Sequence, residues 1–256
     1  MTYKLALITG ASSGIGAAYA REFAKQGTDL VLVARRKDLL DSMASELQTS
    51  YKVKVSVIAA DLTKADAVSA LLANLKKSKL EPDVLINNAG FGTSGRVQHE
   101  DRDRVREEIN LNVATLVDLT TAMVPALVAK KQGAIINIAS TAAFQPVPGM
   151  AVYAATKAFV LSFTSALWHE LDGTGVKVLA VCPGATATEF FDVAGAHPFG
   201  KLASVSDVVS GTFKALRAKK PFVVIGSRNA VMAGFSSLLP KALVTKVAGS
   251  MFLDKK

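Results

Sequence analysis

Seven short runs rich in Val, Ile and Leu recur along the chain, and most are apolar on both faces. Helix-length segments separate these runs. Such runs are typical of parallel strands covered by helices on each side. Their alternation predicts an α/β fold with a single doubly wound, Rossmann-type sheet. The predicted strands are residues 4–9, 29–34, 53–59, 83–87, 134–139, 177–182 and 222–225, and the predicted helices are residues 15–26, 37–49, 64–77, 103–131, 150–171 and 205–219.

The length and composition fit one large α/β domain spanning residues 1–256, with no linker, repeat or low-complexity tract. Half of the residues are apolar and a fifth are charged, as in folded globular proteins. The only cysteine, Cys182, excludes a disulfide framework and a Cys-based zinc site, which indicates a reducing compartment. No apolar stretch has the length of a transmembrane helix, so we expect a cytoplasmic protein.

The net charge of +9 is concentrated in the last part of the chain. Residues 201–256 hold ten Lys or Arg against two acidic residues, a net charge of +8. No recognition motif and no interleaving of basic and aromatic residues accompanies them. We therefore expect a solvated basic surface and no nucleic-acid partner. The three histidines are scattered without metal-ligand spacing, and no metal site is expected.

A glycine-rich sequence follows the first predicted strand directly. Residues 9–16 read TGASSGIG, with glycines at positions 10, 14 and 16. Glycines permit a tight turn and a close approach of the backbone, and the next helix presents unpaired N–H groups at its positive end. In an alternating α/β chain this arrangement predicts a site for the pyrophosphate of a dinucleotide.

The same residues also satisfy the G-x-S-x-G pattern of a hydrolase nucleophile elbow, with Ser12 as the nucleophile. This alternative requires a downstream histidine, for which His169 or His197 is available. Its position argues against it, because an elbow on the first strand has no preceding loop to form an oxyanion hole. The pattern also leaves Gly16 unexplained. A hydrolase is therefore the remote alternative.

Tyr153 and Lys157 open a long predicted helix four residues apart. Side chains at this spacing lie on one face of a helix, a turn apart. A tyrosine with its usual pKa of about 10 is a poor proton donor near neutrality, and a nearby cation favours the phenolate. The pair therefore predicts a general acid–base centre, with the lysine lowering the pKa of the tyrosine.

Further motifs occur in a fixed order around this pair. They are the glycine run 9–16, residues 87–90 (NNAG), Asn112, Ser140 placed 13 residues before Tyr153, and the dipeptide Pro183-Gly184. With these motifs the chain resembles the short-chain dehydrogenase/reductase family over almost its whole length. The resemblance implies hydride transfer between a nicotinamide cofactor and a carbonyl or alcohol substrate.

The resemblance also implies catalytic roles. Tyr153 is expected to protonate or deprotonate the substrate oxygen, and Ser140 to hydrogen-bond that oxygen where charge develops. Lys157 is expected to hold the nicotinamide ribose and to lower the pKa of Tyr153. Asn112 is expected to anchor a water for proton relay. We prefer it to Asn110, because residues 111–113 have the apolar-Asn-apolar context of the family.

The cofactor contacts implied by the resemblance follow the carboxyl ends of the strands. Residues 87–90 would form the floor of the ribose pocket, Asp61 would face the adenine, and Thr188 would contact the nicotinamide carboxamide. Thr188 belongs to residues 185–200, an expected active-site loop. The full set is Gly10, Ser12, Ser13, Gly14, Ile15, Gly16, Arg35, Arg36, Asp61, Leu62, Asn88, Ala89, Gly90, Tyr153, Lys157, Pro183, Gly184 and Thr188.

The end of the second predicted strand points to NADP(H). Family members that use NAD place an acidic residue there for the ribose 2′-hydroxyl, whereas this chain has Arg35 and Arg36. An arginine can bind a 2′-phosphate through two parallel hydrogen bonds, and Ser12 and Ser13 can add hydroxyl donors. The alternative is that both arginines are solvated residues at the start of the next helix.

The substrate is expected to be a small carbonyl or alcohol compound, and an apolar pocket would suit a lipophilic one. Candidate lining residues are Phe91, Phe144, Val147, Met150 and Phe190. The family also contains proteins that only sense the cofactor. A catalytically silent NADP(H) sensor is therefore a second alternative, and the complete catalytic set argues against it.

Two surfaces are expected to make further contacts. Residues 103–131 and 150–171 would form the interface of a homodimer or homotetramer, with Phe159, Phe163 and Trp168 near an apolar side. Residues 227–256 form an extension, expected to be helical from Pro240 with a cap from Ser236 or Ser237. We expect its apolar stripe to pack on the protein's own sheet or on the partner subunit, and the alternative is contact with an anionic membrane. The stripe comprises Leu243, Val244, Val247, Ala248 and Met251.

Overall fold

The computed structural model describes residues 3–197 and 202–252, and it contains one seven-stranded sheet. All neighbouring strands are parallel, in the order β3-β2-β1-β4-β5-β6-β7. The order reverses beside β1, which lies between β2 and β4, and ligand crevices form at such a point. The strands are β1 Leu5–Thr9, β2 Asp29–Ala34, β3 Val55–Ala59, β4 Val84–Asn87, β5 Gly133–Ile138, β6 Val176–Cys182 and β7 Phe222–Val224.

Helices cover both faces of the sheet. They are α1 Gly14–Lys25, α2 Lys37–Tyr51, α3 Ala67–Lys77, α4 Arg102–Ile109, α5 Leu116–Lys130, α6 Ala151–Glu170, α7 Phe190–Ala194, α8 Val205–Arg217, α9 Ser227–Leu238 and α10 Lys241–Phe252. Alternate strand residues are buried on opposite sides. Ile8 packs in the cluster that includes residues of α1, α2 and α8, whereas Leu7 packs with α3 and α5. The doubly wound fold and its parallel sheet are thus as predicted.

The predicted helix 103–131 is a continuous helical run that changes its hydrogen-bond pattern midway. A π-helical turn, Asn110–Thr115, joins α4 to α5. By length and composition alone this run, Arg102–Lys130, is apolar enough to cross a membrane, although 39% of its most apolar window is buried. Leu119, Met123 and Leu127 of α5 pack into apolar clusters with residues of the sheet. The run therefore forms part of the helical layer of the α/β fold.

The C-terminal extension is helical as expected, but it contains two helices, α9 and α10, instead of one. Ser236 lies inside α9 and donates to carbonyl oxygens of Ala233 and Phe144, so its expected role as a cap for α10 was wrong. The predicted stripe on α10 is only half covered. Val244 and Ala248 are buried, whereas Leu243 and Val247 are each 50% exposed. The side chains of Ser237 and Met251, and residues 253–256, lie outside the described residues.

Candidate active site

A cleft of about 1020 Å³ opens beyond the carboxyl ends of the strands. Nearly all of the predicted cofactor residues lie on its wall, and the one exception is Gly16. Gly16 sits behind the wall: a Cβ there would lie 2.3 Å from the carbonyl oxygen of Gly10, so only glycine fits. The residues on the wall are Gly10, Ser12, Ser13, Gly14, Ile15, Arg35, Arg36, Asp61, Leu62, Asn88, Ala89, Gly90, Tyr153, Lys157, Pro183, Gly184 and Thr188.

The glycine loop leaves the start of α1 open to a ligand. Gly10 and Gly14 have φ values of +64° and +55°, a region that disfavours residues with a Cβ. Ser13 occupies the N-cap position, and its side chain makes no capping hydrogen bond. The first N–H groups of α1 thus have no side-chain cap, at the positive end of the helix dipole. This cradle fits a pyrophosphate.

Hydrogen bonds join the ends of β1 and β4 beneath the cradle. The side-chain amide of Asn88 donates to the carbonyl oxygens of Thr9 and Gly10, at 3.0 and 3.1 Å. The Thr9 hydroxyl oxygen accepts from the backbone N–H groups of Asn88 and Ala89 and donates to the carbonyl of Ile86. The two loops that border the crevice are therefore fixed relative to each other.

Arg36 lies against the glycine loop. Its guanidinium donates to the hydroxyl oxygens of Ser12 and Ser13, at 3.2 and 2.8 Å, and to the Glu189 carboxylate at 2.8 Å. Hydrogen bonds from Arg36 and Ser13 hold the pKa of Glu189 below its usual range. Sequence reasoning missed Glu189, which lies 153 residues from Arg36 in the chain. Two hydroxyl groups and a guanidinium together form an anion site at this end of the cleft.

Arg35 lies near Asp61 on the adjoining part of the wall. Partial burial opposes ionisation of Asp61, yet hydrogen bonds from Thr63 and the charges of Lys64 and Arg35 hold its pKa below the usual value. Asp61 Oδ1 accepts from the N–H and the hydroxyl of Thr63, at 3.1 and 2.8 Å. The carboxylate is thereby fixed at the end of the sheet.

Tyr153 and Lys157 project from the first two turns of α6 toward the end of β5. Lys157 is only 6% exposed, donates to the carbonyl oxygen of Ile138 at 2.8 Å, and has its Nζ atom 5.7 Å from the centre of the Tyr153 ring. Ser140 follows β5, and its hydroxyl oxygen accepts from the backbone of Ala142 at 3.1 Å. A hydroxyl, a phenol and an ammonium group are thus gathered beside the cleft.

In the chain alone, the pKa of Tyr153 differs from the prediction. Burial raises the pKa of Tyr153 to about 12, against the opposing effect of a hydrogen bond from Ser140. Burial also lowers the pKa of Lys157 to about 8. The expectation that Lys157 lowers the pKa of Tyr153 was therefore wrong for the chain alone, because burial raises that pKa and the hydrogen bond from Ser140, not Lys157, is what opposes it.

The two candidate asparagines face different regions. Asn112, in the π-helical turn, donates to the carbonyl oxygen of Phe91 at 2.8 Å and to the Thr156 hydroxyl at 3.1 Å, and its own oxygen accepts from the Phe91 N–H. Asn110 instead donates to the carbonyl oxygen of Thr63 at 2.6 Å. Asn112 is therefore the asparagine that joins the Tyr153 helix to the loop after β4.

The apolar side of the cleft includes four of the five predicted lining residues, namely Phe91, Val147, Met150 and Phe190. Phe144 was assigned to it wrongly, since its ring lies outside the wall, 5.9 Å from that of Phe222. The described part of the loop, residues 185–197, closes over the site with the Phe190 ring 5.0 Å from the Tyr153 ring. Phe191, Val193, Leu202 and Met232 also line the cleft and were not predicted to do so.

The hydrolase alternative lacks the contacts that it needs. The Ser12 hydroxyl is bound by Arg36, which supplies no base. His169 lies in the last turn of α6, with its ring 6.4 Å from that of Trp168. Activation of a serine nucleophile requires a base within hydrogen-bond reach. Among the described residues, no histidine is recorded at that distance from Ser12.

A family model described as short chain dehydrogenase matches residues 4–197, and the chain belongs to the short-chain dehydrogenase/reductase family. It is 42% identical over 185 residues to the sulfoacetaldehyde reductase of Chromohalobacter salexigens, covering 72% of each chain. It is 36% identical over 188 residues to the human very-long-chain 3-oxoacyl-CoA reductase, covering 72% of this chain and 60% of that protein. A short-chain dehydrogenase from Sphingobium yanoikuyae, solved with NADPH, has a TM-score of 0.83 at 36% identity, covering 93% and 97% of the two chains. Members of this family bind a nicotinamide cofactor, and the three relatives named here are two reductases and a dehydrogenase.

Proposed function

We propose that this protein is an NADP(H)-dependent oxidoreductase that interconverts a carbonyl compound and an alcohol. The observation that carries the proposal is the arrangement along one cleft, with an anion site at one end and Ser140, Tyr153 and Lys157 at the other. The glycine cradle between them has no room for a side chain at Gly16 and presents the uncapped start of α1. When bound, NADP(H) supplies the hydride, and the protein supplies position and charge.

The residues at the end of β5 and the start of α6 have separate roles in acid–base catalysis. Tyr153 gives a proton to the substrate oxygen in reduction and takes it back in oxidation. Ser140 donates a hydrogen bond to the same oxygen as charge develops there. Lys157 binds the nicotinamide ribose through its ammonium group, although burial lowers its pKa to about 8 in the chain alone. Asn112 holds Phe91 and Thr156, so it positions the site and anchors the relay.

The apolar wall favours a lipophilic substrate. Val147, Met150 and Phe190 pack with Tyr153, and Phe91 and Met232 of α9 extend the apolar surface of the cleft. The relatives that the chain resembles include reductases of both small and long-chain carbonyl compounds. A sensor of NADP(H) would need only the nucleotide end of the cleft. The complete set of Ser140, Tyr153, Lys157 and Asn112 favours catalysis.

We expect Tyr153→Phe to abolish turnover and to leave NADPH binding nearly unchanged, because only the transferable proton is removed. Lys157→Ala is expected to impair both, since the same ammonium group binds the ribose. The measurements are NADPH absorbance with a panel of aldehydes and ketones, and a fluorescence titration of NADPH. Near-normal kcat in Tyr153→Phe with any accepted substrate would contradict the assignment.

Cofactor choice is expected to depend on Arg35 and Arg36. The natural protein should bind NADPH much more tightly than NADH, and the double variant Arg35→Asp, Arg36→Ser should lose about 1–3 kcal/mol of that preference. Calorimetric titration of both cofactors measures it. Lys76→Asp with Lys77→Ser makes the same charge change on the exposed end of α3 and should leave the preference intact. Equal affinity of the natural protein for NADH and NADPH would refute the prediction.

We expect a homodimer or homotetramer that uses the outer sides of α5 and α6. The ring of Phe159 is stacked on that of Phe163 at 6.0 Å and is 43% exposed, an apolar surface suited to a second copy. Phe159→Arg should reduce the sedimentation coefficient at micromolar concentration, whereas Leu39→Arg on α2, 38% exposed, should not. A natural protein that sediments as a monomer would oppose this assembly.

The free face of α9 and α10 fits an anionic membrane surface. Phe235, Leu238 and Leu243 are 63%, 85% and 50% exposed, and the exposed cations Lys241 and Lys246 lie on α10. An amphipathic basic surface of this kind binds anionic lipid through buried apolar area together with charge. Because Met232 of α9 also lines the cleft, the surface adjoins the substrate entrance.

The full-length protein should therefore sediment with vesicles containing phosphatidylserine at low salt, and not with neutral vesicles. Lys241→Glu with Lys246→Glu should abolish that binding, whereas the matched change Lys76→Glu with Lys77→Glu should preserve it. No sedimentation with anionic vesicles, or an equal loss in both double variants, would eliminate the membrane contact. Self-association lost on Leu238→Ser would assign the face to a second copy instead.

A further inference from the structure

Glu108, in the last turn of α4, is a fully buried carboxylate that the proposed function does not use. One of its oxygens, Oε2, accepts from the backbone N–H and the hydroxyl of Thr93, at 3.0 and 2.8 Å. The other, Oε1, is buried and has no hydrogen-bond partner in the part of the chain that the structure describes. A buried carboxylate is costly unless an opposite charge or hydrogen bonds compensate it. Two hydrogen bonds to one oxygen leave half of the group uncompensated.

The position of Glu108 connects it to the active site. Asn112 follows four residues later in the same helical run, and the two side chains hold successive parts of one loop, Asn112 at Phe91 and Glu108 at Thr93. This loop passes directly along the acid–base pair. A Cβ on Gly92 would lie 3.1 Å from Cδ2 of Tyr153, and one on Gly90 would lie 3.5 Å from Nζ of Lys157. Displacement of Thr93 would therefore move the wall beside both residues.

Two nearby groups act on the charge of Lys157. Burial lowers the pKa of Lys157, and the groups that oppose this effect are Glu108 and Cys182. Burial raises the pKa of the Cys182 thiol to about 12, so the thiol is uncharged near neutrality. Within the described residues, Glu108 is therefore the anion that favours the ammonium form of Lys157. Glu108 also raises the pKa of Tyr153.

Burial, hydrogen bonds and nearby charges all act on the pKa of Glu108. The pKa of Glu108 is raised above its usual value: burial, the largest effect, and the nearby Glu100 raise it, against the hydrogen bonds from Thr93 and the charge of Lys157. The adjacent Glu107 forms an ion pair with Arg104 at 3.3 Å and is partly exposed. It carries the same charge on the same helix, and it provides a matched control.

We propose that Glu108 is a positioning residue of the active site: its carboxylate keeps Lys157 in the charged form and holds the loop at Thr93 against Tyr153. The proposal rests on the proposed function, because it assigns Glu108 to the same acid–base centre. The carboxylate touches neither substrate nor cofactor. It acts through Lys157 and through the loop.

The sign of the expected effect follows from electrostatics. Without the Glu108 charge, Lys157 loses its proton at a lower pH, and the same change lowers the pKa of Tyr153. Carbonyl reduction takes one proton from the phenol form of Tyr153 and needs the ammonium form of Lys157 at the ribose, so the alkaline limb of kcat/KM against pH should move to lower pH. A neighbouring charge of this kind shifts a pKa by about one unit or more. Well below the limb, the activity should stay within a few-fold of the natural protein.

The test compares variants at this site in NADPH-dependent reduction of an accepted ketone. Glu108→Gln keeps the shape and an oxygen that can accept from Thr93, and it should shift the limb by about one pH unit. Glu108→Asp keeps the charge, so its alkaline limb should stay close to that of the natural protein. Thr93→Val removes a hydroxyl hydrogen bond without removing a charge, and Glu107→Gln removes a charge outside the site. Both of these should leave the limb within a few tenths of a unit.

A second variant and a binding measurement distinguish failure of this proposal from failure of the proposed reaction. If Glu108→Gln does not fold, Glu108→Met removes the same charge with an apolar side chain of similar length, a replacement that buried ionic sites often tolerate. The pH dependence of the NADPH dissociation constant, measured by cofactor fluorescence, should show the same shift without any substrate, because Lys157 binds the ribose. A folded charge-removing variant with the natural limb and the natural binding profile would overturn the proposal, whatever the outcome for the reaction.

Discussion

The hydrogen bonds between the end of β1 and the end of β4 fix the geometry of the whole site. They include the contacts of the Asn88 amide with the carbonyl oxygens of Thr9 and Gly10. These two strands are neighbours where the strand order reverses, so the loops that follow them diverge and leave the crevice. One loop becomes the glycine cradle, and the other leads through Gly90 and Phe91 to the acid–base pair. These hydrogen bonds therefore set the distance between the nucleotide end and the reacting end of the cleft.

Loss of solvent governs the chemistry at the reacting end. Burial disfavours both charged forms, the phenolate of Tyr153 and the ammonium of Lys157. The chain opposes this with a hydrogen bond from Ser140 to the tyrosine and with the Glu108 carboxylate for the lysine. The nucleotide end has the opposite character. There Arg35 and Arg36 are exposed, and the guanidinium of Arg36 donates a hydrogen bond to the Glu189 carboxylate.

Much of this architecture could be predicted because its signals are local. The buried strands appear as apolar runs, and each lies within two residues of its predicted bounds. The glycine loop and the Tyr153–Lys157 pair depend on spacing within one turn or one helix. Glu189 could not be predicted in this way, because its partner Arg36 is distant in sequence. Glu108 could not be predicted because acidic residues on helices are usually solvated, whereas this one is buried. Phe144 was misplaced for a related reason: a phenylalanine after β5 can face either the cleft or β7, and periodicity does not distinguish them.

The central claim is that hydride moves across this cleft from NADPH to a carbonyl carbon. The most direct measurement is deuterium transfer. The protein is incubated with NADPH carrying deuterium at the transferable position of nicotinamide C4 and with an accepted ketone, and the alcohol is analysed by mass spectrometry. The account predicts an alcohol with one deuterium on the former carbonyl carbon, formed in equal amount to the NADP⁺ produced. An alcohol without deuterium, or oxidation of NADPH without any alcohol, would contradict it.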